Sequence, residues 1–385
     1  MIDKKLGVLT LVILLVACAG PSPTVEPTAT MEAMSLPRLR VALLFPTENL
    51  MVGEEGRAAQ QGALLAIEQR NRAGGVLGAN VEPVTMNSGC SAQRAQEAID
   101  DATAQGLTFV IGGLCAAEAS VISDALAGKG IFLALHGNPR VATDDMGEHK
   151  AGVYTMLLPD ALQVQAMAHF ALDQLHAKAA ATLHDARSPL STGLAEAFAQ
   201  AFAESDGQVV EATSYHGFVR DYTAELDPMA ADAPDVLLLP NCAPEVNDIA
   251  LQARKMGIDA TLLGCDSWSL DLDARVVEEG YYCVEFTPLD PRGQVGEFRV
   301  AYRNRFDSEA DSFAARGYDT AQALLDAIKT AGSVGVEDVE QALLGLTFDG
   351  LTGLTRVDDQ GRAHKNLAVI RVTDGKEEFV TRVSP

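Results

Sequence analysis

Basic residues are scarce in this chain of 385 amino acids. It holds 29 lysines and arginines against 53 aspartates and glutamates, so its formal net charge at pH 7 is -24. Such an excess of negative charge repels phosphate backbones and anionic lipid headgroups. The composition therefore excludes nucleic-acid binding.

A membrane-spanning run is lacking near the amino terminus. The apolar stretch at residues 6–17 has twelve residues, too few to span a bilayer about 30 Å thick as a helix, and it follows Lys4 and Lys5. A short apolar run behind positive charges is typical of a secretory signal. We therefore expect a signal peptide at residues 1–17.

The residues around the expected cleavage point indicate a lipid anchor. Residues 15–18 read Leu-Val-Ala-Cys, which resembles the lipobox of bacterial lipoproteins, where the cysteine is lipidated and becomes the first residue. Cys18 is thus the expected lipidation site, and a plain secretory signal with an incidental cysteine is the alternative. Residues 18–37 are rich in Pro, Thr, Ala and Ser, which predicts a flexible tether. We expect an extracytoplasmic, membrane-anchored bacterial lipoprotein.

Catalytic and metal-binding motifs are absent from the sequence. There is no phosphate-binding G-x-x-x-x-G-K-[ST], no dinucleotide-binding G-x-G-x-x-G, no G-x-S-x-G nucleophile elbow and no H-E-x-x-H. The seven histidines are scattered, and no pair has the spacing of a local zinc motif. The sequence therefore predicts a protein that is not an enzyme and that needs neither a metal nor a cofactor.

What the chain does contain is an alternation of short apolar runs and longer helical segments. With 48% hydrophobic residues it can bury cores, and its length favours two or more domains. The apolar runs predict buried strands at residues 39–45, 109–112, 131–135, 179–183, 236–239 and 261–264. The segments between them predict helices at residues 57–72, 91–105, 116–129, 160–175, 193–205 and 244–256.

This alternation predicts the α/β class, with two doubly wound parallel sheets covered by helices. In such sheets, ligands bind beyond the carboxyl ends of the strands. The last hundred residues depart from the pattern. They predict consecutive helices at 295–306 and 311–330, and then a closing hairpin in which 351–357 and 367–372 flank a turn at 358–361.

Several segments, taken in order, carry a family likeness. They are residues 39–46, 62–68, 71–78, 109–115, 221–223, 263–268, 317–321, 348–353 and 359–361. Their order and spacing over more than three hundred residues resemble the substrate-binding proteins of branched-chain amino-acid ABC transporters, the Leu/Ile/Val-binding type. The resemblance implies the type I periplasmic-binding-protein fold, with two lobes joined by a three-segment hinge.

The same resemblance implies lobe boundaries and partners. Lobe one is expected at 38–156 plus 288–355, and lobe two at 157–287 plus 356–385. The expected function is delivery of a small polar ligand, an amino acid or a derivative, to ABC permease subunits by hinge closure. A ligand-sensing receptor subunit that docks on a membrane signalling protein is the alternative, since the same fold serves sensors.

Lobe one offers candidate residues in two loops. The family binds the ligand carboxylate at a helix amino terminus through a hydroxyl and backbone amides; this chain has Ala116 and Ala117 there, so only the amides remain. The alternative is that both alanines are simply good helix formers. In the next loop, His136 with Gly137 and Asn138 could bind an anionic ligand or could only shape a turn.

The remaining candidates follow other strands. The resemblance places Asp266 against the ligand's ammonium, with helix capping as the alternative. Trp268 is expected to cover the ligand or to pack between the lobes, and Phe313 is either a ligand-facing aromatic or a core residue. Leu190 and Asn241 follow strands at positions near which family members often have aromatics. The lost aromatics weaken the expectation of branched-chain specificity.

The resemblance also implies a disulfide between Cys90 and Cys115. Without Cys18, five cysteines remain, so at least one thiol is free. Cys242 could pair with Cys265, Cys265 could pair with Cys283, or all three could be unpaired.

Overall fold

The computed structural model describes residues 39–217, 220–241, 243–269 and 272–385. The predicted signal peptide, the lipidation site Cys18 and residues 18–37 lie outside these ranges, and so does Cys242.

Five parallel strands form the first sheet, in the order β2-β1-β3-β4-β5. Strands β1 and β3 lie in near-continuous apolar runs because helices cover both faces of the sheet. Its strands are β1 (Leu39–Phe45), β2 (Val81–Asn87), β3 (Phe109–Gly112), β4 (Ile131–Ala134) and β5 (Val153–Thr155). The helices among them are α1 (Gly53–Arg72), α2 (Ala92–Ala104) and α3 (Ala116–Leu126).

The second sheet repeats this topology and adds two strands. Its parallel part has the order β7-β6-β8-β9-β10, and β14 and β15 extend it antiparallel beyond β10. The strands are β6 (Ala179–Asp185), β7 (Gln208–Tyr215), β8 (Val236–Leu238), β9 (Thr261–Gly264), β10 (Tyr281–Val284), β14 (Leu367–Thr373) and β15 (Lys376–Val383). Its helices are α4 (Asp160–Asp173), α5 (Pro189–Glu204), α6 (Thr223–Asp232) and α7 (Ala243–Lys255). The predicted α/β class is confirmed.

Three further helices and a small sheet follow β10. The helices are α8 (Gly293–Phe306), α9 (Ser312–Ala331) and α10 (Val336–Leu343), and the sheet contains β11 (Thr347–Gly350), β12 (Gly353–Val357) and β13 (Ala363–Lys365). The predicted closing hairpin is wrong in its second strand. The turn at 358–361 leads from β12 to β13, whereas β14 pairs with β10 and β15 in the second sheet.

Helices α1 and α9 approach each other closely over the first sheet. The contact is possible because Gly62 of α1 lies against the Ala314 carbonyl and Gly317 of α9 lies against the Ala59 carbonyl. A Cβ atom at either glycine would collide with the opposing backbone. Helix α9 is thereby fixed to the first sheet, although its amino-terminal part also contacts residues of the second.

The chain passes between the two sheets three times. It crosses between β5 and α4, between β10 and α8, and between β13 and β14. Leu158 and Glu285 lie in the first two connections, Lys365 ends β13 just before the third, and all three residues are buried. Polar contacts join these segments, as described below.

Candidate ligand-binding site

A cavity of about 330 Å³ lies at the carboxyl ends of β6, β8 and β9. In the second sheet, strand order reverses between β6 and β8, and the helices that follow them pack in separate clusters, α5 in one and α7 in the other. A crevice opens where order reverses in this way. The lining residues are Asp160, Gln163, Asp185, Arg187, Ser188, Leu190, Ser191, Leu194, Pro240, Asn241, Pro244, Glu245, Cys265, Asp266 and Ser267.

Asp266 stands at the cavity, directly after β9. Its side chain is 41% exposed, and its Oδ2 lies 3.5 Å from the Arg316 Nη2 on α9. Asp266, at the end of a strand of the second sheet, therefore forms an ion pair with a helix that packs on the first sheet. A ligand ammonium at Asp266 would share the carboxylate with Arg316.

Arg316 belongs to a buried group of charges between the two sheets. Its Nε donates to Glu285 Oε2 at 3.0 Å, and Lys365 Nζ donates to the same oxygen at 3.4 Å. Glu285 Oε1 accepts the Leu158 backbone N–H at 2.9 Å. Burial would raise the pKa of Glu285, but the positive charges of Lys365 and Arg316 outweigh it and lower that pKa. Glu285, in the second connection, is therefore ionised and bonded to Leu158 in the first connection and to Lys365 just before the third.

Asp160 and Gln163 occupy the first turn of α4 and line the same cavity. Gln163 is 4% exposed, and its Nε2 donates to Asp160 Oδ1 at 3.4 Å. Among the described residues, no group donates a hydrogen bond to the Gln163 Oε1 atom. Burial and the nearby charge of Asp266 raise the pKa of Asp160. This turn is an acceptor-rich wall of the cavity.

The cavity lining contains two more acidic residues, Asp185 and Glu245. Asp185 holds Arg187 through both carboxylate oxygens, at 3.3 Å from Nε and 3.1 Å from Nη2. Glu245 accepts the Tyr215 hydroxyl at 2.8 Å. Asp185 thus has a cationic partner, whereas Glu245 has a neutral one.

Leu190 and Asn241, two of the candidate residues, both line the cavity but in different ways. Leu190 is 57% exposed at the start of α5, so it offers an apolar surface. Asn241 is buried: its Oδ1 accepts the Ser191 hydroxyl at 2.6 Å, and its Nδ2 donates to the Leu183 carbonyl at 3.2 Å. Its amide holds the ends of β6 and α5 together.

The expectation that Trp268 covers the ligand is wrong. Its side chain is fully buried in the core of the second sheet, and it is not among the cavity-lining residues. The indole Nε1 donates to the Leu239 carbonyl at 3.0 Å, and the ring lies over Gly264, where a Cβ would collide with it. Because Gly264 has no Cβ, the indole ring can pack against it beneath the end of the strand.

The predicted lobe-one residues lie at the carboxyl edge of the first sheet, outside the cavity lining. Ala116 and Ala117 form the exposed start of α3. Below them, the buried Glu118 accepts the backbone N–H of Cys115 at 3.0 Å and of Cys90 at 3.1 Å. A carboxylate of the protein itself already uses N–H groups at this helix end, and burial raises the pKa of Glu118.

The loop after β4 has its polar groups engaged locally. His136 Nδ1 accepts the Asn138 backbone N–H at 2.9 Å, and Asn138 Oδ1 accepts the Arg140 N–H at 3.0 Å. Because burial lowers the pKa of His136, the ring is neutral, and an accepting Nδ1 leaves the proton on Nε2. Gly137 lies against the Leu158 carbonyl of the first connection. This loop therefore presents one ring N–H donor.

Phe313 is partly buried at the start of α9. Its ring packs against the core of the first sheet, and the Arg316 guanidinium lies 5.4 Å from the ring centroid. Phe313 thus contacts the arginine that pairs with Asp266, but it does not line the cavity. The packing agrees with the alternative of a core residue, and the ligand-facing role stays a prediction.

The structure contains the disulfide between Cys90 and Cys115, whose Cα atoms are 5.4 Å apart. It ties the loop after β2 to the residue before α3. Cys265 and Cys283 are both free thiols and buried, so neither pairing that involves Cys265 is present in the structure. Burial raises the pKa of Cys265 to about 12.

Sequence reasoning missed Asp160, Gln163 and Arg316. Asp160 follows a proline at a predicted crossover, and the start of a helix beside a lobe boundary is where a cleft residue is expected. Arg316 stands among alanines and glycine on a buried helix face, where an arginine needs a partner. The sequence alone therefore contains a signal for Asp160 and another for Arg316.

Within the described ranges, no group of three or more His, Cys, Asp or Glu side chains is arranged to hold a metal ion. No helix in these ranges has both the length and the apolar character required to span a membrane.

Comparisons with known proteins agree on one family. The sequence profile of the family described as periplasmic binding protein matches residues 39–377. A leucine-, isoleucine-, valine-, threonine- and alanine-binding protein of Pseudomonas aeruginosa is 23% identical over 334 residues, which is 86% of this chain and 88% of that relative. These matches cover both sheets.

Solved structures give the same result. A leucine-binding protein, LivK, of Thermotoga maritima is 25% identical with a TM-score of 0.67 and covers 90% of this chain and 99% of its own. An ABC transporter substrate-binding protein of Sphaerobacter thermophilus, 16% identical, shares the fold with a TM-score of 0.75 over 90% of this chain and 98% of its own.

Proposed function

Because this chain belongs to the periplasmic binding protein family, we propose that it is an extracytoplasmic, lipid-anchored solute-binding protein that delivers a small amino acid or derivative to an ABC permease. Its relatives from Pseudomonas aeruginosa and Thermotoga maritima are named as amino-acid-binding proteins. The observation that carries the proposal is the cavity at the reversal of strand order in the second sheet, with Asp266 at its edge.

The Arg316 contact supports ligand-driven closure between lobe one (38–156 plus 288–355) and lobe two (157–287 plus 356–385). Asp266 and Arg316 lie on elements attached to different sheets, so a ligand that binds Asp266 changes a contact between the lobes. A ligand shifts a conformational equilibrium only by its differential affinity for the two states. A cavity-bound ligand that also reaches Ala116, His136 or Phe313 on lobe one would favour the closed state.

A thermal-shift screen of the full chain tests ligand binding. The ligands are the common amino acids, small carboxylates, amides and amines. A ligand present at one hundred times its dissociation constant stabilises the folded state by about 2.7 kcal/mol. We expect at least one amino acid or amine to raise the melting temperature, and failure of all of them contradicts the proposal.

The lipid anchor is tested separately by fractionation of bacteria that express the full chain. We expect the wild type in the membrane fraction and Cys18→Ser in the soluble fraction. Mass spectrometry of the amino-terminal peptide should show acyl chains on Cys18. An unmodified Cys18, or a wild type found only in the soluble fraction, contradicts the anchor and leaves the binding function untouched.

A further inference from the structure

We propose that the ligand is a small aliphatic cation with net positive charge, one of whose charged nitrogens is held by Asp160 and Gln163 beside Asp266. This inference rests on the proposed function and narrows its substrate class. It depends on three features of the cavity: an unpartnered acceptor, an excess of negative charge, and a poor site for a ligand carboxylate.

The unpartnered acceptor is the Gln163 side-chain oxygen. Gln163 is 4% exposed and lines the cavity, and its Nε2 is already committed to Asp160. Its Oε1 has no donor among the described residues. Buried polar atoms in folded proteins are nearly always hydrogen-bonded, because an unpaired one is costly. An N–H group of a ligand in the cavity would supply the missing donor and would meet the Asp160 carboxylate in the same turn.

Negative charge exceeds positive charge around the cavity. Its lining contains four acidic residues, Asp160, Asp185, Glu245 and Asp266. Among the described residues that line it, Arg187 is the one basic residue. Arg187 is bound to Asp185, and Arg316 shares its charge between Asp266 and Glu285. Asp160 bonds the neutral Gln163 amide, and Glu245 bonds the neutral Tyr215 hydroxyl. A zwitterion would leave this excess in place, whereas a net cation reduces it.

The first sheet offers little to a ligand carboxylate. Ala116 and Ala117 have no hydroxyl groups and could offer a ligand carboxylate only backbone N–H groups, and Glu118 already receives the N–H groups of Cys115 and Cys90. A second carboxylate there would meet the Glu118 side chain beneath it. The cavity also has an apolar wall made by Leu190, Leu194, Pro240 and Pro244. That wall suits an aliphatic stem between charged ends.

Two kinds of compound share this chemistry, a basic amino acid and a diamine, and calorimetric titration of the full chain separates them. The probes are L-lysine, cadaverine, which is lysine without its carboxylate, and L-norleucine, which is lysine without its terminal amine. We expect lysine or cadaverine to bind at least about tenfold more tightly than norleucine, because a hydrogen bond to a charged group is lost in norleucine. Whichever of lysine and cadaverine binds more tightly shows whether the ligand is a basic amino acid or a diamine.

If norleucine binds as tightly as both cations, the inference is wrong but amino-acid binding stands. If none of the three binds, the inference is also wrong. The wider screen described above then decides the proposed function independently.

Variants locate the cation. Asp160→Asn keeps the shape of the turn and removes its charge, so the affinity for the preferred cation should fall about tenfold or more. Asp173→Asn makes the same chemical change at the exposed end of α4, so affinity should not change. Equal affinities of Asp160→Asn and Asp173→Asn overturn the assignment.

Gln163→Met guards against loss of folding in the first variant. It keeps approximately the size of the side chain and removes the unpartnered acceptor, so the preferred cation should bind more weakly than to the wild type. Unchanged binding by folded Gln163→Met, checked by circular dichroism, contradicts a nitrogen at this position.

Discussion

The Arg316 guanidinium, on a helix of the first sheet, donates from Nε to Oε2 of Glu285, at the end of a strand of the second sheet, at 3.0 Å. The side chains of the two residues are 10% and 2% exposed. Lys365, at the end of the strand before the third connection, bonds the same oxygen, and the Leu158 backbone in the first connection bonds the other oxygen. One carboxylate thus joins the first two connections to the strand that leads into the third.

Glu285→Gln should destabilise the protein strongly. The substitution leaves Arg316 and Lys365 buried without their shared anion, and breaking a buried ion pair in this way costs about 3–5 kcal/mol. Urea unfolding followed by circular dichroism measures the change. Glu279→Gln is the matched control, because Glu279 pairs with Arg371 at the surface, where an ion pair contributes about 0–1 kcal/mol. Equal effects of the two substitutions would show that the buried group does not stabilise the connections.

The Glu285 contribution should depend on pH. The folded-state pKa of Glu285 is lowered below its ordinary value of 4.5, because the charges of Lys365 and Arg316 outweigh burial. A lowered carboxyl pKa stabilises the folded state above the unfolded-state pKa, and that stabilisation disappears as pH falls. The difference in unfolding free energy between wild type and Glu285→Gln should therefore shrink between pH 6 and pH 3, at roughly the pH where glutamates titrate. A difference that stays constant over this range contradicts an ionised Glu285.

The sequence predicts the sheet strands more fully than the contacts between the sheets. The runs at 39–45 and 109–112 are strands with the predicted bounds, because strands buried on both faces must be continuously apolar. Edge strand β15 is half polar and carries no such signal. The predicted hairpin is wrong because β14 pairs with strands of the second sheet, and such pairing depends on the whole fold and not on the local sequence.

The same distinction holds for the site. Asp266, Leu190 and Asn241 line the cavity because chain order fixes which loops meet at one edge of a sheet, and their role in ligand binding stays a prediction. Arg316 reaches Asp266 across 50 sequence positions and Glu285 across 31, and no local pattern encodes such a pairing. Trp268 was misplaced because proximity to a strand end does not say whether a ring turns outward or under the strand.

Trp268 should report on the core rather than on the ligand. It is the only tryptophan in the chain, and its ring is fully buried outside the cavity. We expect its fluorescence to be blue-shifted and protected from iodide quenching with or without ligand, until the protein unfolds. Strong quenching of the native protein, relieved by ligand, would place the ring in the cleft instead.

The cysteines should differ in reactivity. Cys90 and Cys115 are joined, while Cys265 and Cys283 are buried thiols, and burial raises the pKa of both. Iodoacetamide should therefore label none of these four residues in native, oxidised protein, and unreduced peptide mapping should find the Cys90–Cys115 link. Reduction should lower the unfolding free energy by roughly 3–4 kcal/mol, the value for closing a loop of this size. Labelling of both Cys90 and Cys115 in the native protein would exclude the bridge.

Calorimetric titration of wild type and Asp266→Asn, with the ligand that gives the largest thermal shift, tests binding in this cavity most directly. Asp259→Asn, an exposed site before the opposite end of β9, is the control. Because Asp266→Asn removes the carboxylate that we propose contacts the ligand's positive group, we predict that its binding free energy weakens by roughly 2–4 kcal/mol. Asp259→Asn should bind like the wild type. Unchanged affinity in Asp266→Asn would show that the ligand binds elsewhere.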